Sequence, residues 1–242
     1  MKSQRGMTLM EVLIAVTLVS LLPVGLLMAM NMGLDSMKRL NDRVLVNRRA
    51  IGVQRVLEQE IAGLIPASAN CIPDGQAPPS KILFFQGELE SMRFVSSFSL
   101  NEGSRGMPRV LEFQVIPGDQ GRGVRLVVNE HVYTGPFSTG QFCAGVVMEP
   151  MLGVTVPRFR PIQVGPGSFV LADKLAYCRF IYRAPLQDPP YARWVPRWIL
   201  PIWPTAVRIE MAPLEADVSR VQPMAITLPI AVNKVVPGAY AD

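Results

Sequence analysis

Arg5-Gly6-Met7-Thr8-Leu9-Met10-Glu11-Val12-Leu13 opens an apolar run that continues to residue 30. At about 1.5 Å per residue, the roughly 19 residues from 12 to 30 span most of a bilayer's hydrocarbon core as a helix. One carboxylate, Glu11, stands at the entry to this run, where an ionised acid in lipid costs several kcal/mol unless something pairs with it. Read locally, Thr8 to Glu11 has the spacing of a capping box, with the helix dipole favouring the negative charge. A secretory signal peptide fits less well. Its apolar region is about 7–15 residues long, whereas this run is longer, carries Glu11 and offers only Ala29-Met30-Asn31 as a weak cleavage site. Pro23 removes one helical hydrogen bond, so a kink or loosened turn is expected there.

Downstream of the run, Met37, Leu40, Val44, Ile51, Leu57, Ile61 and Leu64 fall near helical spacing with charges between them. The helix is therefore expected to continue as an amphipathic stem. Gly52 weakens it by up to about 1 kcal/mol relative to alanine, and Pro66 stops it by pushing the residue before it out of helical geometry.

The tract from Arg5 to Leu13 resembles the signal of type IV pilins and pseudopilins: a short basic leader, a glycine, then an apolar helix with an acid at its fifth residue. That resemblance implies cleavage by a prepilin peptidase after Gly6 and methylation of the new amino terminus at Met7, where phenylalanine is commoner in the family. It also implies that Glu11 attracts the terminal amine of a neighbouring subunit during assembly. The implied fold is α+β, a long N-terminal helix packed on a β-rich globular domain of antiparallel sheet. The expected boundaries are a leader at 1–6, a transmembrane and polymerisation helix at 7–32, the amphipathic stem at 33–66 and the β-rich domain at 67–242. Lys2 and Arg5 precede the run while Lys38, Arg39, Arg43, Arg48 and Arg49 follow it, so charge counting leaves the orientation open. The family resemblance places the large domain in the periplasm.

The 242 residues, less leader and anchor, leave roughly 200, ample for a hydrophobic core. A net charge of +5 is a modest excess. No basic run interleaves with aromatics in the globular part, so nucleic acid is not an expected partner. The 22 prolines imply turns and short strands in the second half. Strand signals occur at Ile82-Leu83-Phe84-Phe85, Met92-Arg93-Phe94-Val95, 110–116 and 124–128, and again at 169–171, 175–182, 206–211 and 225–232. The glycine-rich stretch 117–123 reads as a hairpin tip. It lacks the third glycine of a dinucleotide fingerprint, and no helical pattern follows. Trp194, Trp198 and Trp203, interrupted by Pro196, Pro201 and Pro204, are too irregular for a regular element and read first as a corner packed on the sheet, with an aromatic partner-binding patch as the lesser alternative.

Residues 83–95, the tryptophans followed by Leu200-Pro201, and Ala206-Val207-Arg208-Ile209-Glu210 are together similar to the J-type minor pseudopilin of the type II secretion system. Residues 156–168 read as an insertion relative to that family. The resemblance implies a place in a tip complex that starts a short filament for protein export. Its expected partners are other minor and major pseudopilins, the prepilin peptidase, the inner-membrane assembly platform and secreted proteins, with the inner membrane as its location before assembly. A W-type minor pilin of a type IV pilus or competence system shares the signal and layout.

Cys71, Cys143 and Cys178 allow three pairings, among which sequence alone does not choose. Cys178 lies in a strand-like tract and reads as a buried thiol, while Cys71 and Cys143 in loop-like contexts are the candidate disulfide pair. No Cys or His cluster has metal-ligand spacing, and no cofactor is expected. His131, the single histidine, has no Ser-His-Asp or Cys-His setting, and no nucleophile elbow is present. Catalysis is therefore not expected. The alternative from another class is a signal-anchored periplasmic enzyme, for which Glu11 is dispensable.

Overall fold

Helix α1, Leu9–Ala62, carries the apolar segment at its start and one face of the domain core at its end. In this computed structural model the described residues are 9–72, 80–150, 153–186, 192–215 and 223–231. The chain divides into two units, Met1–Asn47 and Arg48–Asp242. In the first, the helix runs unbroken through Pro23.

In the second unit, Val53, Leu57 and Ile61 recur every four residues along α1 and are buried. Side chains four apart share one helix face. The helix ends at Ala62, short of the expected 66. The cause is capture of the backbone by a strand. Leu64 forms a bridge with Ser96, Ile65 N–H donates to Val95 O at 3.0 Å, and Ser97 N–H donates to Gly63 O at 2.8 Å. Gly63 permits this approach, because a Cβ there would lie 2.7 Å from Ser96 Oγ.

The remaining elements are β1 (Ser68–Cys71), β2 (Ser80–Leu83), β3 (Gln86–Gly87), β4 (Ser91–Ser99), β5 (Ser104–Pro117), β6 (Val124–Val132), α2 (Pro136–Gly140), β7 (Cys143–Glu149), β8 (Val154–Phe159), β9 (Phe169–Pro185), β10 (Ala192–Val195), β11 (Ala206–Pro213) and β12 (Met224–Pro229). Eight of these strands form an antiparallel sheet in the order β12-β11-β9-β6-β5-β4-β3, with β10 also on β9. Pairs β1-β2 and β7-β8 are separate hairpin-like sheets. The layout is α+β, a long apolar N-terminal helix followed by an antiparallel β-rich domain.

Sheet alternation assigns the two faces. Met92, Phe94, Leu111, Phe113, Leu126, Val128, Phe180 and Ile209 are buried with the end of α1 in the larger core. On the opposite face, Val95 and Val110 join Ala67, Ala69, Cys71, Phe84 and Cys143 in a smaller core supplied by β1 and β7. The sequence reading did not anticipate β7 and β8, having taken 156–168 as an insertion; residues 156–159 of that stretch belong to β8.

Segments 169–171 and 175–182, expected as two strands, are one. Lys174 adopts a left-handed φ of 55° between them, a conformation that bends the strand without ending it. The first half of β9 pairs with β6 and the second with β11 and β10. Trp194 is a correction to the expected irregular corner, because it sits in β10 opposite Arg183. Trp198 and Trp203 do form a buried corner, where Trp198 Nε1–H donates to Ile202 O at 2.8 Å and the Trp203 ring meets Phe85 edge-on at 5.6 Å.

Candidate functional site

The N-terminal candidate residues lie at the start of α1. Glu11 is in its first turn, exposed among Leu9, Met10 and Val12. An acid there is favoured by the helix dipole. Gly6 and Met7, and Thr8 of the capping box, lie outside the described residues. Leu9–Lys38 is long and apolar enough to cross a membrane, and its side chains are exposed. Thr17 Oγ1 donates to Ile14 O and Ser20 Oγ to Thr17 O, each at 2.8 Å, so these two hydroxyls in the apolar segment are satisfied by the helix itself.

In the domain, the sheet face opposite α1 carries a buried polar row. Gln86, Arg93, Glu112 and Asn129 stand at directly paired positions on β3, β4, β5 and β6. Arg93 donates from Nε to Glu112 Oε1 at 2.7 Å, from Nη1 to Gln86 Oε1 at 2.6 Å and from Nη2 to Arg160 O at 3.1 Å. Its guanidinium also lies over the Phe142 and Phe159 rings, 5.2 and 5.3 Å from their centroids. Asn129 Nδ2 donates to Glu112 Oε2 at 3.2 Å and to Gln163 O at 2.8 Å. His131 Nε2 lies 3.0 Å from Glu112 Oε2, which gives the single histidine a structural partner.

Burial alone would raise the Glu112 carboxyl. The hydrogen bond with His131, the Arg93 charge and the bonds from Asn129 and Arg93 outweigh it and hold the carboxyl below its usual range. Burial lowers Arg93. A paired, fully hydrogen-bonded arrangement is how a buried charge is tolerated. The arrangement holds the cover over the sheet, because Arg93 reaches the 142–160 segment through two rings and one carbonyl.

Glu60 on α1 is a different case. It is fully buried, its carboxyl oxygens have no hydrogen-bond partner, and its backbone carbonyl accepts from Ser96 Oγ at 3.0 Å. Burial pushes the carboxyl up to about 8; the Ser96 hydroxyl opposes this only in part, because its hydrogen bond goes to the Glu60 backbone carbonyl and not to the carboxyl, and the Glu130 charge adds to it. Sequence reasoning missed these groups. Position 60 follows Leu57 by three on the buried face, and Arg93 and Glu112 occupy alternate positions that ordinarily face water; only the covering segment makes them interior.

Cys71, at the end of β1, and Cys143, at the start of β7, form a disulfide with Cα atoms 5.6 Å apart. Cys178 on β9 is a buried free thiol, pushed up to about 12 chiefly by burial. Among the described residues no group of three or more His, Cys, Asp or Glu could hold a metal ion.

No curated protein matches this chain. Residues 1–29 match the prokaryotic N-terminal methylation motif, so the chain carries a type IV pilin-class prepilin signal leading into the apolar helix of a membrane-anchored, single-pass protein.

Proposed function

We propose that the chain is a minor pseudopilin of a type II secretion system that joins the tip complex and helps start filament assembly for protein export. The observation that carries this reading is the prepilin-class signal over residues 1–29, set in front of a domain far larger than a helix coat. In this reading a prepilin peptidase cuts between Gly6 and Met7 and Met7 is methylated. The freed amine of one subunit then meets Glu11 of another. At about 4 Å and an effective dielectric of about 20, such a pair attracts by about 4 kcal/mol, enough to set the axial register of packed helices. The domain lies in the periplasm, where the Cys71–Cys143 disulfide suits an oxidising compartment. Other pseudopilins, the assembly platform of the inner membrane and exported proteins are its partners. The role is structural rather than catalytic.

Intact mass and N-terminal sequencing of the protein from its host's membranes test the reading. Loss of residues 1–6 and one methyl group on Met7 are expected; an uncut Met1 would make the chain a simple signal-anchored protein. Glu11→Ala should leave membrane insertion unchanged and reduce co-purification with other pseudopilins. Undiminished co-assembly removes the role given to Glu11.

A further inference from the structure

A cleft of about 240 Å³ opens beside β2, and Phe85, Trp198, Leu200 and, from β8, Pro157 and Phe159 also line it. The strand at its edge has unused hydrogen-bonding capacity. Phe84 N–H donates to Ala67 O, and the register pairs Leu83 with Ser68 and Lys81 with Asn70. Antiparallel pairs alternate between bonded and non-bonded, so the backbone N–H and C=O of Lys81 and Leu83 point away from β1. Among the described residues nothing pairs with them, and both residues line the cleft.

An open strand edge beside an apolar trough is the chemistry that recognises an extended chain. Backbone groups supply the ladder and alternate side chains enter the trough. The rim sets the charge of the occupant. Glu88 is engaged by Arg197 at 3.2 Å, whereas Lys81 is exposed and makes no ion pair among the described residues. On the β8 side of the cleft Pro157 offers no N–H and interrupts any ladder there, whereas Lys81 and Leu83 of β2 each offer an N–H and a C=O.

We propose that this cleft binds an extended, acid-bearing segment of a partner protein by strand addition to the free edge of β2. The proposal is independent of the pseudopilin reading, since it concerns the domain and not the N-terminal signal.

The test uses the full chain in detergent micelles and fluorescence anisotropy with four labelled octapeptides. Each carries Asp at both ends and alternates Thr with Val, Leu, Phe or Tyr. At least one acidic peptide should bind, and N-methylation of alternate backbone amides in it should weaken binding at least about tenfold. Replacing its Asp residues by Lys should weaken binding several-fold, and Lys81→Glu should reverse that preference while leaving the circular dichroism unchanged. Failure of all four peptides to bind, equal binding of the N-methylated peptide, or a charge preference untouched by Lys81→Glu each overturns the proposal.

Discussion

Replacing Glu60 by glutamine should stabilise the protein near neutral pH and remove a pH dependence that the native chain has. The carboxyl is buried without a hydrogen-bond partner and is pushed up from 4.5 to about 8. The folded-state value lies above the unfolded one, so the contribution is fully present below about 4.5 and is lost as pH rises through about 8. With one unit worth about 1.4 kcal/mol, holding the proton at pH 7 costs about 3 kcal/mol. Between pH 5 and 8 the native protein should lose about 3–4 kcal/mol through this group alone. Glu60→Gln keeps the shape and has no charge to suppress, at the expense of about 1 kcal/mol for the extra amide N–H. The assay is urea denaturation of the full chain in detergent at several pH values, followed by fluorescence of Trp194, Trp198 and Trp203, all of which lie in the domain. The difference between variant and native protein should grow steadily from pH 5 to 8. A constant difference across that range would refute the assignment of a protonated, buried carboxyl.

Other substitutions test the remaining contacts. Glu112→Leu leaves the buried Arg93 charge unpaired and should lower stability by about 3–5 kcal/mol in the same urea assay. Because the Glu112 carboxyl is held below its usual range, its native contribution is lost as pH falls through that depressed value, the opposite sign to Glu60. The Cys71–Cys143 bridge closes a separation of 72 residues, so Cys71→Ser with Cys143→Ser should cost about 2–5 kcal/mol, read as a lower urea midpoint. Cys178, buried and pushed up to about 12, should resist a maleimide in the native protein and react once unfolded, as followed by mass. Gly87→Ala places a Cβ 2.8 Å from both Trp198 Cβ and Tyr182 Cζ, and should cost about 1–3 kcal/mol with a shift in tryptophan emission.

Elements governed by local periodicity were legible in the sequence. The apolar run, the helix carrying Leu57 and Ile61, and the strands around 92–95, 110–116 and 206–211 all follow from spacing that near neighbours set. What escaped depends on partners distant along the chain. The helix end is fixed by β4, more than thirty residues away, through Ser97 N–H on Gly63 O, and no signal near Pro66 encodes that. The continuity of β9 rests on Lys174 taking a positive φ without a glycine to announce it. Strand β8 was lost in a proline-rich stretch because Pro157 breaks the usual pattern, yet a proline fits there on an open edge. The polar row was hidden for a similar reason: alternation marks Arg93 and Glu112 as facing away from the helix, but cannot say that a later segment covers them.

The two faces of the sheet specify its register by different means. A slip of one residue on β4 would turn Met92 and Phe94 away from α1 and put Arg93 toward Leu57 and Phe113. That move exposes apolar area on one side and buries an unpaired guanidinium on the other. Hydrophobic burial alone penalises the slip by about 1.5–3 kcal/mol for each large side chain displaced. The row adds a separate penalty, because Arg93 satisfies Gln86, Glu112 and Arg160 O only in the native alignment of β3, β4 and β5. A slip of two residues would return apolar side chains to α1 and escape the first penalty. It would still carry Arg93 two positions from Glu112, leaving the guanidinium buried without its carboxylate and Glu112 without its counter-charge, with only Asn129 and His131 still beside it. Apolar alternation therefore excludes odd slips, and the Gln86–Arg93–Glu112–Asn129 row excludes even ones.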